Sequence, residues 1–222
     1  MDKAKLLSGS SLFCELSYAD LAELAQHAQS RAVRAKQVVL AQGERSDEMY
    51  AVIHGRLKVM RSNTEGRELT LAILEAGEVF GELAMLDGGP RTATIEALED
   101  CELLVLQRAT VDQYLNAHPL VMRSMIQTLC ERLRSADELV QDTLFLPLPQ
   151  RLAKVLRQLA QNHGDETADG ILIDLKLTQQ ELANFVGATR ESVNKQLSAW
   201  ESQGWLSMRG GYISISDVKS LP

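Results

Sequence analysis

The chain has 222 residues, 45% of them hydrophobic and 24% charged, a composition that can bury a core and excludes a disordered or fibrous protein. Three cysteines, at 14, 101 and 130, are too few and too scattered for a disulfide framework or a paired-cysteine metal site. No apolar run approaches the roughly 18 residues of a membrane span, nor is there the apolar segment of a secretion signal, so a cytoplasmic protein without membrane contact is expected. The net charge of −7 is uneven: from Pro147 onward eight Lys/Arg meet eight Asp/Glu, and the residues before it hold the whole acidic excess. Length and asymmetry together suggest two domains with different work.

Residues 12–30 read as a helix with Leu16, Leu21, Leu24 and Ala25 on one face. From Val33 to Leu106 the apolar period becomes two. Met49–Val59 alternates throughout, and Glu68–Leu74, Glu78–Phe80, Thr92–Ala97 and Glu102–Leu106 are further short strands punctuated by glycines. Short strands so spaced indicate an antiparallel β-roll or jelly roll. Inside it lies FGELAMLDGGPRTAT, residues 80–94. Gly81, Glu82, Leu83 and Ala84 open a short helical turn whose free N–H groups can face an anion. Arg91 adds a fixed positive fork and Thr92 a hydroxyl and a backbone donor, while the Glu82 carboxylate can accept from a ribose hydroxyl. An anion beside a sugar implies a nucleotide.

After His118-Pro119 the pattern turns helical for about seven turns. Met122, Ile126, Leu129, Leu133, Ala136, Val140 and Thr143 recur at alternating spacings of four and three, a heptad seam that suits a parallel homodimer better than a helix lying on its own roll. Leu146-Pro147-Leu148-Pro149 breaks this helix, because proline lacks the backbone donor and restricts the residue before it. The expected domains are therefore 1–118 for nucleotide binding, 119–146 for dimerisation and 147–222 for a third task.

That task is legible in the spacing. Thr178-Gln179-Gln180-Glu181 is a capping box, Gly187 supplies a turn, and Thr189 can cap a second helix over Arg190–Ser202. Ala183, Gly187 and Val193 stand where a helix-turn-helix needs a small, a positive-φ and a buried apolar residue. Val193, Leu197 and Trp200 form the buried stripe of the second helix. Arg190, Glu191, Asn194, Lys195 and Ser198 face away from it, with donors for guanine edges and phosphates and a carboxylate for cytosine N4. Trp205–Met208 and Tyr212–Ile215, around a Gly-Gly turn, complete a two-stranded wing. Both tryptophans suit the core better than base stacking. Double-stranded DNA is the expected partner, with Thr178, Gln179, Thr189, Arg190, Glu191, Asn194 and Lys195 at the contact.

FGELAMLDGGPRTAT resembles the phosphate-binding cassette of cyclic-nucleotide-binding domains. Together with the long helix and LTQQELANFVGATRESVNKQL, the chain from about residue 12 to residue 215 resembles the CRP/FNR family of bacterial transcription regulators. The resemblance implies an α+β fold: an N-terminal antiparallel β-roll, a long dimerisation helix and a C-terminal winged helix-turn-helix. It implies an allosteric homodimer on a palindromic, TGTGA-like site, with RNA polymerase as a further partner. Glu82 would bind the ribose 2′-hydroxyl, Arg91 and Thr92 the cyclic phosphate, and Arg190, Glu191 and Lys195 the base edges, in the docking geometry of the family's catabolite activator. Lys195 stands where the family usually has arginine.

Where the best-known cAMP activators place Thr-Ser on this helix against adenine, the present chain has Ala136-Asp137. An ionised carboxylate only accepts and would suit the adjacent N1–H and 2-amino donors of guanine. The expected effector is therefore cGMP or cAMP. A regulator of the same family that answers to cyclic di-GMP or to no ligand is the alternative, and a nucleotide-regulated inhibitory subunit is the reading from another class. Cys14 does not match the cysteine set of iron–sulfur members, and His27, His54 and His118 are too scattered to ligate haem; no metal is expected. Cys14, Cys101 and Cys130 read as packing residues. No nucleophile or acid–base pair accompanies Glu82 and Arg91, so an enzyme is not expected.

Overall fold

The computed structural model describes residues 3–10, 13 and 16–222. The N-terminal elements are α1 (Lys3–Ser8), α2 (Tyr18–Gln26), β1 (Gln29–Val33), β2 (Val38–Leu40), β3 (Glu48–His54), β4 (Leu57–Ser62), β5 (Glu68–Leu74), β6 (Val79–Phe80), α3 (Glu82–Asp87), β7 (Thr94–Ala97), β8 (Cys101–Gln107) and α4 (Arg108–Ala117). The long α5 (Pro119–Phe145) follows. The chain then forms α6 (Leu148–His163), β9 (Gly164–Thr167), β10 (Gly170–Ile173), α7 (Gln179–Val186), α8 (Arg190–Ser202), β11 (Leu206–Arg209), β12 (Tyr212–Ile215) and a 3-10 turn, Val218–Ser220. Two units result: residues up to Arg67 with Leu71–Ser135, and Glu68–Thr70 with Ala136–Pro222.

In the first unit the strands form two four-stranded sheets, of order β1-β8-β3-β6 and β2-β7-β4-β5. The central strands of the former have no solvent face. Met49, Ala51 and Ile53 of β3, with Leu104 and Leu106 of β8, pack against Leu21 and Leu24 of α2, Val111 and Leu115 of α4, and Val121 and Met125 of α5. Their alternates, Tyr50, Val52, Leu103 and Val105, pack against Leu40, Leu57, Leu74, Ile95 and Ala97 of the other sheet. One sheet thus separates two cores, and period-two alternation sorts apolar residues between them.

The expected helix over 12–30 is shorter. It starts at Tyr18, where the Ser17 hydroxyl accepts the Asp20 N–H at 3.2 Å, and the chain is already extended by Gln29. Leu21 and Leu24 are buried as its stripe requires. The expected strand Met49–Val59 is two strands, because Gly55 at φ +89° turns the chain from β3 in one sheet to β4 in the other. Alternation continues across that turn, so the break leaves no trace in the pattern except the glycine. A Cβ there would lie 2.6 Å from Cys101 Sγ and 2.8 Å from the Asp100 carbonyl oxygen. Cys101 is buried as expected, its thiol donating towards the carbonyls of Glu99 and Arg56, and burial pushes its pKa up. Cys130 is exposed on α5 and is not a packing residue, because it points away from the face that Val121 and Met125 bury; Cys14 lies outside the described residues.

Along α5 the seam residues Met122, Ile126, Leu133 and Val140 are exposed, and Leu133 keeps 63% of its surface. The helix stops where the prolines require. Pro147 sits at the cap and Pro149 in the first turn of α6, where a missing N–H costs no bond. Carbonyls left over at the end of α5 find Arg151, which donates to Leu146 at 2.9 Å and Thr143 at 3.3 Å, and to Val186 at 3.1 Å. Lys154 lies 2.6 Å from Asp142 and 3.6 Å from Glu138, the hydrogen bond to Asp142 raising its pKa.

In the second unit the expected wing is part of a four-stranded sheet, β11-β12-β10-β9, with Ile171 of β10 opposite Ile215 of β12. Its strands begin at Leu206, one residue later than expected. The sequence pattern predicts neither β9 nor β10: Gly164–Thr167 is acidic and polar, and the apolar part of β10 is only three residues, Ile171–Ile173. Trp200 is buried, and Trp205 is half-buried with ring centroids 6.4 Å apart. Among the described residues no helix is long and apolar enough to cross a membrane, and no group of three His, Cys, Asp or Glu is placed to hold a metal ion.

Replacing Gly55 by alanine combines a disfavoured φ with a clash against backbone. The Gly55→Ala protein is expected to lose on the order of 2–3 kcal/mol, read as a lower midpoint in chemical denaturation; an unchanged midpoint would show that the β3–β4 turn does not need glycine.

Candidate functional site

The cassette is built on a strand-to-helix turn. β6 ends at Phe80, whose ring stacks on Tyr50 at 5.1 Å, and Gly81 adopts φ +83° to lead into α3. A side chain at Gly81 would meet the Arg91 guanidinium at 2.9 Å and the Glu48 carbonyl oxygen at 3.3 Å, so glycine serves close approach as well as conformation. Within α3, Glu82 and Ala84 are buried and Leu83 is exposed. Arg108 donates to the Ala84 carbonyl at 2.9 Å, and Gly88, also left-handed, closes the turn by donating back to Ala84.

Arg91 is 3% exposed. Its backbone joins the Gly43–Glu44 loop, donating to Glu44 at 2.7 Å and accepting from Gly43 at 2.9 Å. Its guanidinium donates to two main-chain carbonyls, Gly81 at 2.6 Å and Glu48, and its Nε has no partner among the described residues. Burial lowers its pKa, while Tyr50 and the carboxylates of Glu48, Glu82 and Asp47 act in the opposite sense. The expected cationic fork is thus present, but turned onto carbonyls. Thr92 beside it is exposed.

Glu82, 3% exposed, meets Arg132 of α5 at 2.5 Å, and the same guanidinium donates to the Val79 carbonyl at 2.6 Å. Sequence spacing held no sign of this pairing across 50 positions; an arginine one residue from a seam leucine reads as a solvated charge. A cavity of about 400 Å³ is lined by this pair together with Thr128, Glu131 and Ser135 of α5 and with Val79 and Gly77. Among the described members of the expected nucleotide set, Glu82 lines it; Gly81, Leu83, Ala84, Arg91, Thr92 and Asp137 do not. Asp137 is exposed on α5.

A polar cluster unforeseen from the sequence adjoins Arg91. Arg31 of β1 grips the Glu48 carboxylate with both terminal nitrogens at 3.1 Å and reaches the Tyr50 hydroxyl at 2.9 Å. The Tyr50 hydroxyl donates to Glu48 at 2.5 Å, and Gln107 donates to it at 3.0 Å. These residues sit on β1, β3 and β8, adjacent strands that lie far apart in the chain, so only the sheet order brings them together.

The second unit places the DNA-reading candidates on α7 and α8. Thr178 accepts the Glu181 N–H at 3.2 Å while Glu181 accepts from Thr178, completing the capping box. Gly187 has φ +63°, and the Thr189 hydroxyl accepts the Ser192 N–H at 3.2 Å. Val193, Leu197 and Trp200 are buried, and Arg190, Glu191, Asn194, Lys195 and Ser198 are exposed. Gln179 donates to Asn194 at 2.9 Å, tying α7 to the outer face of α8. Lys176, absent from the expected set, lays its aliphatic stem over Gly211, where a Cβ would be 2.8 Å away.

Residues 30–118 match the cyclic nucleotide-binding domain, and residues 150–222 match the Crp-like helix-turn-helix domain. A CRP-like cAMP-activated global transcriptional regulator of Mycobacterium tuberculosis is 34% identical over 183 residues, 82% of each chain. The chain belongs to the CRP/FNR family. The cyclic AMP receptor protein of Thermus thermophilus is 30% identical over 97% of this chain and 96% of its own. Among solved structures, a CRP/FNR-family transcriptional regulator of Thermus thermophilus superposes with a TM-score of 0.73 at 28% identity, covering 87% of this chain and 96% of that one. A c-di-GMP responsive global regulator from Xanthomonas campestris shares the fold, with a TM-score of 0.81 at 22% identity over 90% of this chain and 100% of that one. This CRP/FNR member is a cyclic-nucleotide-binding, DNA-binding transcription regulator and not an enzyme.

Burial pushes the Glu48 carboxyl up, but hydrogen bonds from Arg31, Tyr50 and Gln107 outweigh it and hold its pKa below the ordinary value. A carboxyl lowered on folding contributes stability that is complete above its unfolded value, about 4.3, and is lost as pH falls through the folded one. The stability gap between wild type and Glu48→Gln should therefore be constant at neutral pH and narrow below about pH 4. Denaturation midpoints against pH measure it, and a gap unchanged by acid would contradict the network.

Proposed function

We propose that this CRP/FNR protein is a homodimer, joined along α5, that binds a 3′,5′-cyclic purine nucleotide at the cassette and a two-fold palindrome through α8. Residues 1–118 sense, 119–146 dimerise and 147–222 read DNA, in the cytoplasm and with RNA polymerase as protein partner. The observation that carries the ligand is Arg91: a buried cation whose bonds go to neutral carbonyls and whose Nε is unmatched. A buried charge that no anion hydrogen-bonds is costly, and a cyclic phosphate supplies a bonded anion and an acceptor. The Glu82 carboxylate can accept from a ribose hydroxyl, which would share that carboxylate with Arg132 or displace Arg132 from it. That exchange gives the ligand a direct hold on α5, and hence differential affinity between two helix states.

Support for dimerisation is the run of exposed seam residues on α5, which a second α5 in register would cover. For DNA, Arg190 is suited to the O6 and N7 of a guanine and Glu191 to a cytosine amino group, giving TGTGA-like half-sites. Lys195 offers a point charge rather than a fork. Relatives named for cAMP favour cAMP; the exposed Asp137 carboxylate favours guanine, whose two adjacent donors it can pair.

Three measurements follow. Arg91→Leu should weaken cyclic-nucleotide binding at least tenfold, about 1.4 kcal/mol, in a calorimetric titration of protein that remains folded; unchanged affinity moves the site elsewhere. Arg190→Ala should cost roughly 1–3 kcal/mol on the palindrome and relax preference at one base position; equal loss on random DNA would deny a base-reading role. In a thermal-shift comparison of cAMP, cGMP and cyclic di-GMP, cGMP should stabilise at least as well as cAMP, and Asp137→Ala should erode that standing. A tenfold preference for cAMP would dismiss the guanine reading, and a response to cyclic di-GMP alone would replace the mononucleotide.

A further inference from the structure

Three carboxylates act electrostatically on Arg91, and each is held by an arginine of its own. Glu48 is gripped by Arg31 with two bonds of 3.1 Å. Glu82 is paired with Arg132 at 2.5 Å, and Asp47 with Arg108 at 2.7 Å. These are the same three acids that act on the Arg91 guanidinium. None of them hydrogen-bonds it; the two groups that do are carbonyls.

Glu48 is the sharpest case. Its carbonyl already accepts from Arg91, so its carboxylate hangs from the residue that touches the guanidinium. A fork and a carboxylate so placed are natural bidentate partners. Moreover, Arg31 is 43% exposed on its side chain and has water as an alternative, whereas buried Arg91 has none. Left to choose, the carboxylate would neutralise the buried cation. It does not: its oxygens take four hydrogen bonds, from Arg31, Tyr50 and Gln107.

We infer that Arg31 is a positioning residue for effector binding: it withholds the Glu48 carboxylate from Arg91 and so reserves the Arg91 charge for an anionic ligand. The inference rests on the cyclic-nucleotide site proposed above. Loss of Arg31 would let Glu48 swing onto the unmatched side of Arg91 and occupy the donors that a phosphate requires.

The test is a double-mutant cycle on full-length protein, read by calorimetric titration with whichever of cAMP and cGMP the wild type binds more tightly. Arg31→Met should weaken binding about tenfold, and Arg31→Met/Glu48→Gln should recover most of that loss, since an amide cannot neutralise Arg91. Arg31→Lys, which keeps a cation on Glu48, should stay within about threefold of wild type. Where Arg31→Met melts below the assay temperature, Arg31→Gln enters the same cycle. A weak single variant that the second substitution fails to rescue would make Arg31 a scaffold residue and overturn the inference, as would an Arg31→Met protein of wild-type affinity. Wild type that binds neither nucleotide would overturn the site itself, and the inference with it.

Discussion

A buried guanidinium that no carboxylate hydrogen-bonds organises much of the N-terminal unit. Arg91 reaches its place through the Gly43–Glu44 loop and is gripped by carbonyls from two separate elements, the start of β3 and the turn into α3. Beside those carbonyls Tyr50 stacks on Phe80, and Gly81 leaves room for the guanidinium. Neutral acceptors take up the two terminal nitrogens, leave Nε unmatched and leave the charge intact.

The second unit follows a different logic. Its α7–α8 pair is determined locally, by two caps and one left-handed glycine, and its buried stripe is at helical spacing. Each signal lies within a few residues of the next. The whole motif was therefore readable from the sequence, including which face of α8 is exposed. The caps, worth about 1 kcal/mol each, pin the helix starts and so the positions of Arg190 and Lys195.

Legibility fell off with sequence separation. The cassette showed because Gly81 and Arg91 are ten residues apart, and the break after α5 because two prolines announce it. The Glu82–Arg132 pair and the Arg31–Glu48–Tyr50 cluster did not show, since strand order and helix placement alone unite them. Similarly, β9 gives no period to read because Gly164–Thr167 is acidic and polar, and the apolar run of β10, Ile171–Ile173, is too short to declare a strand without that partner. The β3–β4 boundary failed for another reason: apolar alternation ran on through Gly55 while the chain changed sheets.

That last failure bears on how the roll finds its pairing. In a sheet with one wet face, sliding a strand by one residue throws its apolar set into water, and solvent itself rejects the error. β3 and β8 are apolar on both sides, so a slipped strand would merely trade one oily compartment for the other, and solvent would not object. Alignment must be policed by shape and polarity instead. Gly55 seated against Cys101 acts as one dowel, and the Glu48 carboxylate, joined to Arg31 on β1 and Gln107 on β8, as the other. The polar knot beside Arg91 is thus also the alignment mark of the sheet that carries it.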